Sequence, residues 1–347
     1  MKRLMLVLAA ALLTCTGAAA QAPDFTGKTI TMIIGYAPGG GTDASGRLIA
    51  SHLVKYLPGK PNLIVQNMPG ADGITAMNHF FSEQVKPDGL TITMGSSTQG
   101  DPVVYRQPQA HYDPTKLNFI GGVGRGGSTV VINKDAEKRL YDKSKPPVIM
   151  GSVGGIPRSG MQTTAWGIDL LNWNAKWVTG YPGTNELFLA LERGEIDMTA
   201  SSNLFQVRKL LETGKVKVLT QTGTMENGKI VSRSEFKDVP AFPDMVEGKV
   251  KDPLKEKAYK YWFSLVVLDK WLALPPGTPQ PIVQAYRDAF AKLSKDQEFL
   301  ELGKKISQDF ETQDGPGVAN LIKTLGGTTP EAVAYINTML KGQGLGN

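Results

Sequence analysis

The sequence predicts an α/β protein of two lobes, each a mostly parallel sheet flanked by helices, with a ligand cleft between them. Three observations predict it. From Lys28 onward short β-rich runs alternate with helical stretches, the pattern of parallel strands joined by crossover helices. The strand-to-helix junctions are glycine loops, which put sharp turns at strand ends. About 327 residues remain once an N-terminal leader is set aside, a length that more often splits into two lobes than packs around one core.

The leader is MKRLMLVLAAALLTCTGAAAQA, in which Lys2 and Arg3 precede an apolar stretch of about eleven residues, Leu4 to Thr14. Ala18-Ala19-Ala20 then offers a small-residue cleavage site. This is the pattern of a secretory signal peptide over residues 1–20, too short to cross a bilayer. A lipid anchor at Cys15 is disfavoured because Thr14 stands where a lipobox has Gly, Ala or Ser. The predicted mature chain begins at Gln21 in the periplasm and contains no cysteine, so disulfides and thiolate ligands drop out. Losing Lys2 and Arg3 leaves 36 basic against 32 acidic residues, a net charge of about +4. That bias suits a small anion and is too weak for nucleic acid.

In order, KTITMIIGYA reads as a strand, ASGRLIASHLVKYL as a helix and PNLIVQN as a strand. The loop PGADG, a helix from about Ile74 to Gln84, the turn KPDG and the strand LTITMGSS complete a first lobe. KLNFIGGVG leads into a second series: STVVINK, PPVIMGS, a helix from about Ser159 to Leu171, AKWVTGY, a helix from Thr184 to Arg193, EIDMTAS and KVKVLTQTG. Residues 225–258 are charged and aperiodic, and read as an irregular surface excursion near the crossing between lobes. YWFSLVVLDKWLAL reads as another β-rich run and PQPIVQAYRDAFAKL as a helix opened by proline, and the chain is expected to fray from Gly342. The expected division is 26–123 with about 259–347 for lobe I, and about 124–258 for lobe II.

The most informative stretch is IIGYAPGGGTDASGR, where a strand runs into Gly39, Gly40 and Gly41 and a helix begins near Thr42 and Asp43. Glycines free to take positive φ expose successive N–H groups, and the first helical turn adds positive potential, which suits an anion. A tight turn with Thr42 as N-cap and Asp43 serving the first turn accounts for the same residues. MGSVGGIPRSGMQ is a second loop of this kind, with Ser152, Val153, Gly154 and Gly155, and Arg158 as an ordinary exposed residue. GYPGTNEL supplies a third junction at Thr184, where plain capping is an equal account. Asp43 and Asp197 are acids able to accept a hydrogen bond from a ligand amine or hydroxyl, although solvated faces and strand ends also use such residues.

The order of these motifs resembles the substrate-binding proteins of tripartite tricarboxylate transporters, the Bordetella uptake gene family. The resemblance rests on APGGGTDASGR at 37–47, LIVQNMPGADG at 63–73, KPDGLTIT at 86–93, YDPTKLNFIGGVG at 112–124, GEID at 194–197 and WLALPPGTPQPIV at 271–283, and so spans the mature chain. It implies a two-lobed periplasmic binding protein of type II-like form, a monomer that holds a small organic carboxylate between the loops of both lobes and hands it to integral membrane transporter subunits. It also implies that Gly39 to Asp43 from one lobe, Ser152 to Gly155 from the other, and Ser96, Ser97 and Thr98 after the PDG strand line the cleft. Two departures stand out. Relatives commonly have a shorter SxGxG-type turn followed by a histidine, where this chain has SVGGIPRSGMQ with Met161 or Gln162 near that place, and the excursion at 225–258 is longer than usual.

Motifs for other chemistry fail. His52 and His79 fall within expected helices and His111 in a polar loop, and HExxH and GxSxG are missing from the sequence. Gly27-Lys28-Thr29 lacks the upstream glycine of a phosphate-binding loop. Residues 122–127, GVGRGG, satisfy GxGxxG, but the strand STVVINKD follows where dinucleotide binding needs a helix. No catalytic set, metal site or cofactor is expected, and core packing is the default for most of Trp166, Trp173, Trp177, Trp262 and Trp271, with an aromatic wall for the ligand as the alternative. The remaining alternatives to a transport receptor are a receptor that reports to a membrane sensor and an exported enzyme acting on a carboxylate.

Overall fold

The computed structural model describes residues 23–157, 160–226 and 229–346. The expected signal peptide at 1–20 and Arg158 lie outside the described residues. The strands are β1 Thr29–Ile34, β2 Asn62–Asn67, β3 Thr91–Ser96, β4 Asn118–Gly124, β5 Thr129–Asn133, β6 Val148–Gly151, β7 Ala175–Val178, β8 Met198–Ser201, β9 Val216–Gln221, the hairpin β10 Thr224–Glu226 and β11 Lys229–Val231, then β12 Lys270–Leu274 and β13 Glu311–Asp314. Among the described residues, β13-β4-β12-β3-β1-β2 form one sheet and β7-β6-β8-β5-β9 another.

Each sheet is parallel except where the chain crosses between them or returns. β1 pairs parallel with β2 and β3, and β6 parallel with β7 and β8. The strand that enters each sheet just after a crossing runs against its neighbours: β5 between β8 and β9, and β12 between β3 and β4. The outer strand β13 is also antiparallel to β4. Both faces of the central strands are largely buried, so apolar residues fall on both faces of them, with threonines and glycine the main interruptions. In β1, Ile30, Met32 and Ile34 pack with Tyr286 and Phe290 of the helix Gln280–Leu293, whereas Ile33 points into the opposite core with Met77 and Phe80 of the helix Ile74–Phe80. This second core is continuous through the helix Pro253–Ser264 to the Trp166 and Leu187 side chains of lobe II.

The two crossings lie side by side. Ser128 N–H donates to Thr222 Oγ1 at 2.8 Å, and Thr222 N–H to the Ser128 carbonyl at 2.9 Å. Gly126 takes φ +70°, and a side chain on Gly127 would collide with the Gly223 carbonyl. Arg233, fully buried, donates through Nη2 to the Arg125 carbonyl at 2.9 Å and to Ser307 Oγ at 2.7 Å, and through Nη1 to the Gly127 carbonyl. Its Nε meets Asp309 Oδ2 at 2.6 Å.

Three expectations are corrected. The run YWFSLVVLDKWLAL is only partly a strand, because Tyr261–Ser264 end the helix Pro253–Ser264, capped by Asp252 whose Oδ1 accepts from Lys255 N–H at 2.7 Å. The stretch 225–258 is not only surface, since Arg233 and Phe242 are fully buried in it. The C-terminus does not fray at Gly342: Leu345 is 2% exposed, and Gln343 Nε2 donates to the Ala165 carbonyl at 2.8 Å.

Candidate functional site

The sheets meet at the C-terminal ends of their parallel strands, and the junctions there build one narrow cleft. Lobe I contributes the β1 junction, where the helix Gly41–Leu53 has Gly40 as N-cap in extended conformation, φ −74° and ψ 169°, with no side-chain cap. The N–H groups of Gly41 and Thr42 lie in the first turn, where no intrahelical acceptor exists. Gly40, Gly41 and Thr42 all line the cleft. Lobe II contributes Thr184, the first residue of the helix Thr184–Arg193, and Ala200, Ser201 and Ser202 at the end of β8. Two helix N-termini from opposite lobes therefore face the same space, and both carry positive potential.

Arg125 and Lys270 join them on the cleft wall. Arg125 leaves the end of β4 at the first crossing, and Lys270 opens β12 at the second. They share Asp269: Arg125 reaches it through Nε at 2.7 Å and Nη2 at 2.8 Å, and Lys270 Nζ lies 2.6 Å from Oδ1. Burial by itself would raise the Asp269 carboxyl, but the Arg125 and Lys270 charges outweigh it and hold the group well below the usual carboxylate range. Arg125 also reaches lobe II, donating through Nη2 to Ser202 Oγ at 3.0 Å.

The free volume is about 60 Å³, room for a few waters or the head of a small ligand. Ser96, which lines it, is held by Tyr36 OH at 3.0 Å and by Gln99 Oε1 at 2.9 Å. Thr98 Oγ1 also lines it, is buried, and has no hydrogen-bond partner among the described residues. A buried hydroxyl without a partner is costly, so this atom marks where a polar guest or water belongs.

Of the residues singled out from sequence, Gly40, Gly41, Thr42, Ser96, Thr98 and Thr184 are brought together on this cleft. The others are placed elsewhere. Gly39, with φ +81°, makes the turn and faces Asn185 on the outer side of the loop. Asp43 holds that turn shut: Oδ2 accepts from Gly39 N–H at 2.8 Å and Arg47 Nε at 2.9 Å, and Oδ1 from Asn67 Nδ2 at 2.9 Å. Ser97 N–H is bonded to the Asp269 carbonyl at 3.0 Å, and its side chain sits behind the cleft wall. Asp197 is at the far end of β8, paired with Arg139 at 2.6 Å and accepting from Ile149 N–H at 2.9 Å, so it cannot meet a ligand in the cleft.

The second glycine loop is displaced for a reason visible in its length. The helix after it starts only at Met161, and this longer loop carries residues 152–155 along the lobe boundary. Ser152 Oγ is spent on the Gly154 carbonyl at 2.9 Å, Val153 lines a separate compartment with Tyr36, Asp72 and Tyr181, Gly154 abuts Asp72, and Gly155 stands in open space. Met161 takes the place on the cleft instead. Gly122 and Gly124 of the GxGxxG match lie inside β4, and the chain passes on to β5, so the dinucleotide reading has no helix to support it.

Among the described residues no group of three or more His, Cys, Asp or Glu is arranged to hold a metal ion, and no helix is long and apolar enough to cross a membrane. The family model described as the tripartite tricarboxylate transporter family receptor matches residues 46–324. A curated relative, the UPF0065 protein in the gbd 5′ region of Cupriavidus necator, is 28% identical over 286 residues, covering 79% of this chain and 77% of its own. Among solved structures, the periplasmic binding protein BugD superposes with a TM-score of 0.68 at 20% identity, over 91% of this chain and 98% of its own. MatC of Rhodopseudomonas palustris, solved with bound malate, superposes with a TM-score of 0.66 at 18% identity, over 90% and 98%.

Proposed function

The chain belongs to the tripartite tricarboxylate transporter receptor family, a family of solute-binding proteins, and from that premise we propose that it captures a small organic carboxylate in the periplasm and delivers it unchanged to membrane transporter subunits. The observation that carries this reading is the convergence of two helix N-termini, at Gly41 and Thr184, with the Arg125 guanidinium on one cleft between the lobes. Such a site favours a compact anion and offers no nucleophile paired with a base. The malate in MatC supports a carboxylate as the occupant. In this reading the signal peptide is removed after Ala20, the protein is a monomer, the lobes are 26–123 with about 259–347 and about 124–258, and they close about the paired crossings when the acid binds.

A thermal-shift screen over organic acids tests the reading. An acid present at a hundred times its dissociation constant stabilises a receptor by roughly 2.7 kcal/mol. Recovery of that acid unchanged after prolonged incubation separates a receptor from an enzyme. In Thr42→Val the helix cap is untouched, because Gly40 is the N-cap and Thr42 makes no capping bond. Loss of the hydroxyl is therefore read in affinity, at roughly 1.5–3 kcal/mol if it touches the charged head. A screen in which no acid shifts the melting transition sinks the proposal.

A further inference from the structure

Arg125 has more donors than its protein partners use. Its Nε and one Nη2 hydrogen are taken by Asp269 and the other Nη2 hydrogen by Ser202, at 2.7, 2.8 and 3.0 Å. Among the described residues nothing accepts from Nη1. Arg125 is 3% exposed as a whole and lines the cleft. Nη1 sits against the first turn of the helix Gly41–Leu53, in the space that a side chain on Gly41 would take. Thr98, 4% exposed, lines the same cleft, and its buried Oγ1 has no hydrogen-bond partner among the described residues. A guanidinium edge that the described residues do not use and a buried hydroxyl without a partner, on different elements, thus stand around one small space.

We infer that Arg125 sets the ligand class, its Nη1 pairing directly with one carboxylate oxygen while Thr98 Oγ1 and the first-turn N–H groups of Gly41 and Thr42 take the rest of that head, with Asp269 and Ser202 as positioning residues. This rests on the carboxylate reading of the cleft and deepens it. Helix N-termini alone accept any small dipole with a lone pair, including an amide or alcohol. Arg125 and Lys270 share the single Asp269 carboxylate, so the three groups together keep one net positive charge, which an ionised guest offsets and a neutral guest does not. The inferred substrate class is a small acid with an ionised, unmodified carboxylate, and its primary amide is refused. The arrangement also ties capture to closure. Arg125 stands on the crossing, its Nη2 holds Ser202 of lobe II, and its Nη1 faces the lobe I helix, so an acid on Nη1 completes a bridge between lobes.

The test is calorimetric titration of full-length mature protein with malate, succinate, adipate, glutamate and benzoate, each beside its primary amide. Wild type is expected to bind at least one acid and to discriminate against the matching amide by at least about thirtyfold. Arg125→Gln removes the surplus charge and leaves Asp269 paired with Lys270, and circular dichroism confirms that it folds. In it the acid-to-amide discrimination is expected to collapse to near unity, which a purely structural arginine would not produce. Thr98→Val, a near-isosteric change, should weaken the acid by about tenfold or more. If an acid binds wild type and the folded Arg125→Gln variant alike, with discrimination intact, the inference about Arg125 is wrong while the receptor reading stands. If no acid of the panel binds wild type, the carboxylate reading fails and takes this inference with it. If Arg125→Gln does not fold, Thr98→Val decides: unchanged acid affinity there overturns the inferred head site.

Discussion

Arg233 Nη2 lies 2.9 Å from the carbonyl oxygen of Arg125, so one buried guanidinium pins the backbone that carries the other. Arg233 comes from the excursion between lobes, and besides Arg125 it grips the Gly127 carbonyl, Ser307 Oγ and Asp309. It is the point at which both crossings and a C-terminal turn are fastened together. The position of Arg125 in the cleft depends on it, although Arg233 does not line the cleft itself.

Arg233→Met removes every one of these donors and leaves Asp309 without its cation. The cost expected is roughly 3 kcal/mol, the lower end of the range for breaking a buried pair, because a quarter of the Asp309 side chain stays in water. Urea unfolding reads it directly. Arg233→Lys should recover only part, since a single ammonium cannot span four acceptors. Equal stability of wild type and Arg233→Met would show that the crossings hold without this fastening.

Asp101 gives the protein a pH dependence. It is buried as the N-cap of the segment Pro102–Tyr105, where its Oδ1 accepts from Val103 N–H at 2.9 Å and from Tyr261 OH. Burial raises its carboxyl from an ordinary 3.8 to about 6, with Tyr261 and Val103 opposing. The folded state then holds its proton more tightly than the unfolded chain. Its contribution to stability is complete below pH 4 and is lost as the pH rises through 6, about 3 kcal/mol for a shift of about two units. Asn keeps the acceptor and cannot ionise, so Asp101→Asn should gain on wild type by up to about that amount between pH 4 and pH 8 in paired urea titrations. Asp269, shifted in the opposite direction, acts only below the ordinary carboxylate range and so leaves this window to Asp101.

The C-terminus is the third test. Leu345 is buried, and Trp177 Nε1 donates to Gln343 Oε1 at 3.2 Å while Gln343 Nε2 donates to the Ala165 carbonyl. Deleting residues 343–347 therefore strips one buried leucine and two hydrogen bonds from lobe II. The loss expected is about 2.5–4 kcal/mol, from roughly 1.5–3 for the leucine and about 1 for the bonds. A shortened chain as stable as the full one would mean that the tail is only loosely seated.

The alternation of strands and helices was legible because each β-run and each amphipathic helix is a local pattern; the helix Thr184–Arg193 begins and ends at the residues its pattern marks. The helix Pro253–Ser264 was not, since Tyr259, Tyr261, Trp262 and Phe263 have strong strand preference and their helical state is imposed by packing against Trp166 and Phe242. The Asp252-Pro253 pair was the available signal, an N-cap followed by a first-turn proline. On the cleft, the β1 junction was legible from its glycines. Arg125 was not: its partner Asp269 is 144 residues away, and its local setting imitates a dinucleotide motif. Ser201 and Ser202 stand at the end of β8 with no loop signature of their own. Long-range pairing of this kind has no periodicity to read. A lone arginine within GVGRGG and a lone aspartate within VVLDKW were the available trace.

The glycines of the β1 junction separate by position, which makes them the sharpest test of the cleft. Gly40 has ordinary negative φ, and a methyl there would come no closer than 3.7 Å to the Ala37 carbonyl, an easy contact. Gly40→Ala should fold normally and, since the cap makes no side-chain bond, cost a few tenths of a kcal/mol to about 1 kcal/mol in stability. Gly41 is helical, so alanine suits its backbone and even favours the helix by roughly 1 kcal/mol. Its methyl, however, would occupy the place of Arg125 Nη1. The guanidinium is held on its other edge by Asp269 and Ser202 and cannot retreat without breaking those bonds. Gly41→Ala is therefore expected to lose at least tenfold in affinity for whichever acid binds wild type, an effect of about 1.4 kcal/mol or more, while Gly40→Ala loses little. Ligand-free unfolding of both variants separates helix stability from the binding loss. If Gly41→Ala binds as wild type does, the methyl has been accommodated, and Arg125 does not stand over the first turn as the cleft requires.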